Sequence, residues 1–459
     1  MSDPPQLQRP PAQPAYVLRG HHAHVHAVRF LRHNERLLTG DADGWVVLWN
    51  VATKRAVAVW RAHDGAILGF GTWPEDKVIT HGRDFHLRVW QLGPADEHDF
   101  STALPVDDTT THRKQPWLLH SLRVNTLNFC SFATCPEHPD ASNDSPPSVN
   151  PILIAVPGMK DGEVDVFQLP TEHRMSTVPN IGQKTGMTMS VSLVHSRPSP
   201  SSGPVLHCIT GYESGATAVH VFSPATNTWS HIYTSQPHSQ PLLSLSPAPP
   251  SSSPSSDLTF YTSGADDLIA KHTLSAPRSP SRPKPPSSPP SASPSTPTPT
   301  KPQSLLSAAL ASQSSSSPSS AAPPPLPNPA PVAPAKAVHT KHSGQQSLAV
   351  RSDGRVLATA GWDGRVRVYG AKGLKEVAVL AWHKEGCYAV AFADVGGGDG
   401  GGKEEKGEKE GGGGEGAVDA GAVVEVGGKI EDSGERAVAR SAAGRTMTTD
   451  GKVSLWEVF

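Results

Sequence analysis

The 459-residue chain sets 40 Lys and Arg against 42 Asp and Glu, a formal charge of −2, which excludes a uniformly basic nucleic-acid coat and a polyanionic tail protein. Its 46 prolines and 18 % charged residues depart from an average domain and point to long segments outside any packed core. Four cysteines (Cys130, Cys135, Cys208, Cys387) make no disulfide framework, and the C-x4-C spacing lacks the second pair a structural zinc needs. Reduced thiols are therefore expected. No apolar leader or membrane-length apolar run is present, so a soluble intracellular protein without membrane contact is expected.

In chain order, residues 1–14 (MSDPPQLQRPPAQP) are expected to be disordered, and 15–459 to form one domain. A first repeat, 18–51, reads LRGHHAHVHAVRF and then LLTGDADGWVVLWNV; a second, 59–92, holds WRAHDGAILGF and KVITHGRDFHLRVWQL. Weaker copies follow at 118–169 (ILIAVPGMKDGEVDVFQL), 187–222 (VLHCITGYESGATAVHVF) and 236–274 (LTFYTSGADDLIAKHTL). The sixth, 336–369, contains HTKHSGQQSLAVRSDGRVLATAGWDGRVRVY, and the seventh, 377–459, closes with KVSLWEVF. In the first, second and sixth, apolar residues alternate with period two, the pattern of half-buried strands joined by tight turns. Between the fifth and sixth copies, 275–335 holds 19 of the 46 prolines, and inside the seventh, 394–440 holds 16 of the 41 glycines. The first is expected to be disordered and the second largely so.

Two offsets recur. Asp43, Asp84, Asp161, Asp363 and Asp450 each stand six residues before an aromatic: Trp49, Trp90, Phe167, Tyr369 and Trp456. Thr39, Thr80, Thr359 and Thr446 stand four before four of these aspartates, and His22, His63 and His342 open the first, second and sixth units. Internal self-similarity at such a period is the signature of a repeat architecture.

These residues resemble the WD40 family, whose fold is an all-β propeller; seven blades are expected. The resemblance implies that the His, Thr, Asp and Trp of one blade form a buried hydrogen-bonded chain. His22–Thr39–Asp43–Trp49 and His63–Thr80–Asp84–Trp90 would be complete, whereas His342–Thr359–Asp363 would break at Tyr369. AYVLR, at 15–19, is expected to supply the missing outer strand of the last blade, because a sheet edge left open in a ring is a liability.

Catalytic, cofactor and metal sites are not expected. No nucleophile elbow or phosphate loop occurs, no basic stripe with interleaved aromatics suggests direct nucleic-acid readout, and the His21, His22, His24, His26 run has no carboxylate or Cys at matching spacing. The Ser-Pro and Thr-Pro pairs at Ser279, Ser293, Thr296 and Thr298 suit either a phosphorylated or SH3/WW-binding region or a passive linker. Three stretches (PAYVLRGHHAHVHAVRFL onward, GYESGATAVHVF, and AGWDGRVRVY to HKEG) are similar to the fungal ASTRA-associated protein 1 family, itself similar to the animal G-protein β-subunit-like protein 1. That resemblance implies a nuclear, also cytoplasmic, non-enzymatic scaffold. It would be monomeric within a hetero-complex linked to chromatin remodelling, with ASTRA subunits and Tel2/Tti-type helical-repeat co-chaperones of PI3K-related kinases as partners. Two alternatives stand beside it: a cullin–RING substrate receptor, and an enzyme with a site at the propeller axis.

Overall fold

Side chains that alternate in polarity along an extended chain turn one face to a core and one to water, and the repeats are strands on this account. A computed structural model describes residues 13–74, 76–107, 113–126, 130–140, 150–182, 184–197, 202–250, 257–275, 329–395, 421–428 (as backbone) and 451–458. All lie in the compact unit formed by Met1–Ala276 and Pro329–Phe459.

β1 (Tyr16–Arg19) precedes β2 to β5 (Val25–Leu31, Arg36–Asp41, Trp45–Asn50, Arg55–Arg61) and β6 to β9 (Ile67–Thr72, Lys77–Gly82, His86–Gln91, Trp117–Arg123). β10 to β13 (Ala133–Pro136, Ile152–Pro157, Val164–Leu169, His173–Val178) and β14 to β17 (Thr188–Ser196, Val205–Tyr212, Thr217–Ser223, Thr228–Ser235) follow. Then come β18 to β21 (Leu242–Pro247, Leu258–Gly264, Leu268–Leu274, Lys336–His339), β22 to β25 (Gln345–Val350, Val356–Gly361, Arg365–Gly370, Lys375–Ala381) and β26 to β28 (Gly386–Phe392, Gly421–Gly428, Lys452–Val458). Six antiparallel sheets take their four strands in sequence order; a further four-stranded sheet has the order β1-β28-β27-β26. They are numbered here from β2–β5 as sheet 1 to the mixed sheet as sheet 7.

The larger core clusters each span two neighbouring sheets. Leu38 and Trp60 meet Ile67 and Trp90 between sheets 1 and 2, Leu87 meets Ile154 between 2 and 3, and Val166 meets Cys208 between 3 and 4. Tyr233 packs with Phe260, Ile269 with Leu357, and Val366 with Trp456. Leu37 and Val59 of sheet 1 share a cluster with Val453 and Leu455 of sheet 7. The sheets are thus arranged radially, an all-β propeller.

The two ends of the chain meet in sheet 7, where β1 runs antiparallel to β28 from Tyr16 opposite Leu455 to Arg19 opposite Lys452. The turns explain one recurrent glycine. Gly44, at φ +84°, leaves no room for a Cβ, which would lie 2.0 Å from the His63 carbonyl oxygen of the following junction. Gly215 stands in the same relation to His238, and Gly451 to His21 across the sheet 7 to sheet 1 junction. Only a residue without a side chain lets the backbone approach so closely.

The sheets fall one strand later than the sequence units. β5 belongs with β2–β4, β9 with β6–β8, and β21 with β18–β20, because the outer strand pairs with the strand before it although its sequence runs on into the next copy. Residues 421–428, inside the stretch expected to be largely disordered, pair with both β26 and β28. At the end of the Pro/Ser stretch, the Val332 amide donates to the Thr234 carbonyl at 2.8 Å. Residues 1–12, most of 275–335, most of 394–440, and the candidate residues Thr446 and Asp450 lie outside the described residues.

Candidate functional site

The buried polar side chains form relays. In sheet 2, the Trp90 indole N–H donates to Thr80 Oγ1 at 2.9 Å, and Thr80 lies 2.7 Å from His63 Nε2. His63 Nδ1 lies 2.8 Å from Asp84 Oδ1. The chain is satisfied throughout when the Thr80 hydroxyl donates to Nε2 and the imidazole proton sits on Nδ1, facing the carboxylate. Arg88, four residues after Asp84, adds a 2.8 Å bond to Oδ2 and one to the Ala62 carbonyl at 2.6 Å. Burial opposes ionisation of Asp84, but the His63 hydrogen bond and the Arg88 charge outweigh it and hold its carboxyl below the usual range. Burial pushes His63 the other way from protonation, and the Asp84 bond only partly offsets this. The relay is a neutral imidazole on a carboxylate.

Sheet 1 uses different members from those the offsets select. His21 Nε2 lies 2.7 Å from Thr39 Oγ1 and its Nδ1 lies 2.7 Å from Asp41 Oδ2, while the Trp49 indole donates to Thr39 at 2.8 Å. The relay therefore runs His21–Thr39–Asp41–Trp49, and His22 and Asp43 are not its members. The position explains the first shift: His21 precedes Val25, just before the inner-strand bulge, by four residues, as His63 precedes Ile67. The second shift follows from the residue at the end of the second strand. In sheet 2 it is Gly82, where a Cβ would lie 2.3 Å from the His63 ring, so the imidazole reaches on to Asp84. In sheet 1 it is Asp41, whose own carboxylate takes the histidine and also accepts the amides of Asp43 and Trp45 at 3.0 and 2.9 Å.

The same four-residue rule finds His238 before Leu242 and His383 before Cys387. His238 bonds Asp266 Oδ1 and Thr262 Oγ1, each at 2.9 Å. His272 occupies the place of the indole, 3.1 Å from Thr262, and its other nitrogen is 2.9 Å from the Tyr233 hydroxyl of sheet 4. This relay crosses between sheets. Thr262, Asp266 and His272 keep the offsets of four and six, so the signal was present in the sequence; the polar residue at the aromatic position concealed it. In sheet 7, His383 Nε2 lies 3.1 Å from Ser454 Oγ, which accepts the Trp456 indole at 2.8 Å.

Sheet 6 corrects the third expected chain. Lys341, not histidine, stands four residues before Gln345, and His342 comes one residue late; its Nδ1 is 3.8 Å from Asp363. Arg367 clamps that carboxylate with both guanidinium nitrogens at 3.1 and 2.6 Å. Thr359 and Tyr369 are buried beside it without a histidine link. In sheet 3, Asp161 occupies a turn and receives the Asn180 amide on its carbonyl, while Phe167 packs against the core between sheets 2 and 3. No relay joins them.

Among the described residues, no group of three or more His, Cys, Asp or Glu is arranged to hold a metal ion. Of the N-terminal histidines, His24 and His26 lie against the Tyr388 ring, with centroids 6.2 and 5.1 Å apart. All four cysteines are buried, and burial pushes the Cys135 thiol up to about 12. No described helix is long and apolar enough to cross a membrane.

Repeated four-stranded sheets knit by His–Thr–Asp–Trp relays define a WD40-type propeller, and the WD domain, G-beta repeat family matches residues 12–50 and 335–370. The chain is 41 % identical to ASTRA-associated protein 1 of Verticillium alfalfae over 97 % of this chain and 93 % of that one. It is 41 % identical to the Pyricularia oryzae protein of that name over 98 % of each, and 29 % identical to the Schizosaccharomyces pombe one over 83 % and 93 %. The chain belongs to the ASTRA-associated protein 1 family.

Proposed function

We propose that this protein is a non-enzymatic scaffold of the ASTRA complex, a seven-bladed ring that presents its rim and faces to other subunits. The observation that carries this reading is the match along almost the whole length of both chains to proteins named ASTRA-associated protein 1. The geometry supports it: the buried histidines His21, His63, His238, His272 and His383 serve relays within and between sheets, leaving the exposed surface for docking. Within that complex the protein works in the nucleus, in chromatin remodelling and, with Tel2/Tti-type helical-repeat co-chaperones, in assembly of PI3K-related kinases. Affinity purification of the full chain from cells at native abundance tests this. Co-purification of Tel2/Tti-type proteins is the expected result; recovery of cullin adaptors without them contradicts it.

A further inference from the structure

A cleft of about 470 Å³ opens where the closing strand meets sheet 1. Its floor is apolar, built from Leu18 of β1 and Trp49 of β4, both almost fully buried. One wall is Leu104, from the long connection between β8 and β9, which turns back across sheet 1. That connection already pairs with two sheet edges: the Ser101 carbonyl accepts the Val59 amide of β5 at 2.8 Å, and the Val106 amide donates to the Gly20 carbonyl just past β1 at 3.0 Å. These edges are therefore able to take an extended chain, and the cleft continues beyond the stretch the connection covers.

The rim carries Arg19, Lys54 and Arg55, and no acidic residue lines the cleft. Among the described residues neither Arg19 nor Arg55 has an ion-pair partner; the Lys54 ammonium bonds the Val51 carbonyl. Three cations without a facing carboxylate are a local feature, since the whole chain is slightly acidic. Unpaired guanidinium groups above an apolar floor and beside two strand edges complement an extended segment whose carboxylates alternate with apolar side chains.

We propose that this cleft binds an extended acidic segment of a partner protein. Its carboxylates meet Arg19 and Arg55, and an apolar side chain enters over Leu18, Trp49 and Leu104. Because β1 forms one side, the site exists only in the closed ring. The inference goes beyond the scaffold reading and is tested on the purified full chain, so its failure leaves complex membership untouched.

The probe is a fluorescein-labelled decapeptide of alternating Glu and Leu or Val, titrated with full-length protein and followed by anisotropy. Saturable binding is expected, weakened about tenfold or more by R19E/R55E or by Gln in place of Glu in the peptide, and weakened by added salt. Both arginines are exposed, so R19E/R55E should melt with the parent; R19Q/R55Q serves if it does not. Lack of saturation up to about 1 mM overturns the proposal. So does binding that charge reversal leaves unchanged, or a single-stranded oligonucleotide that binds more tightly at the same residues. Self-association that R19E/R55E abolishes would reassign the cleft to a second copy and overturn it as well.

Discussion

Replacing Thr80 with Val removes one hydroxyl and nearly preserves shape, so any loss reports the relay and not a cavity. Thr80 is fully buried, and its oxygen serves both the Trp90 indole at 2.9 Å and His63 Nε2 at 2.7 Å. Valine leaves a buried donor and a buried acceptor without partners, at about 1–3 kcal/mol each, or about 2–6 kcal/mol together. For a cooperative unit of roughly 320 residues the unfolding entropy near the melting temperature is about 0.7 kcal/mol per degree, which converts this to a drop of about 3–9 °C. Circular dichroism melts of T80V and parent at pH 7.5 measure it, and T359V is the internal control. Thr359 is equally buried but has no histidine relay, so its substitution should cost under about 1 kcal/mol. T80V melting within about 1 °C of the parent, or T359V costing as much, would refute the claim that the relays hold the sheets together.

Four further outcomes follow from the same geometry. Burial pushes His81, His220 and His272 down to about 3, so the unfolded chain, with ordinary imidazoles, binds protons that the folded chain refuses. Their contribution is therefore full above about pH 6.5 and is lost as pH falls toward 3, at up to about 1.4 kcal/mol per pH unit for each; a melting temperature flat from pH 7 to 5 would contradict this. H272F leaves the Tyr233 hydroxyl and Thr262 without their shared imidazole, and should cost about 1–3 kcal/mol in urea unfolding, whereas an unchanged midpoint would remove the cross-sheet relay from the account. L18A hollows the core that joins β1 to sheet 1, and a loss of about 2–5 kcal/mol is expected. Removal of residues 1–20 should lower the melting temperature further, and a truncated chain as stable as the parent would show that β1 contributes nothing.

Much of this architecture was legible because a strand's period of two and the turn spacing survive in the sequence even where the signature Trp is lost. Offsets within one strand–turn–strand unit, such as Thr80–Asp84–Trp90, translate directly into the hydrogen-bonded chain, since a tight turn fixes how far apart those residues lie. Histidine placement was less legible. The imidazole comes from a loop, and adjacent candidates His21 and His22 differ only in which one lies four residues before the bulge. Asp41 against Asp43 could not be separated by spacing, because the choice depends on whether a glycine or a carboxylate ends the preceding strand. Sheet 5 was hidden by chemistry: His272 replaces an indole with another N–H donor and hands its second nitrogen to Tyr233 of a neighbouring sheet. Sheet 7 was hidden because its hydroxyl, Ser454, comes from the last strand and stands two residues before the indole it accepts.

Hydrogen exchange on the full chain, read by mass spectrometry, tests ring closure most directly. If β1 and β28 seal the propeller, amides in 16–19 and 452–455 will be protected to the same degree as those of sheet 1 and will open with it as one unit. Exchange of 16–19 within seconds, while sheets 1 to 6 stay protected, would mean that the ends do not meet and that the ring is open.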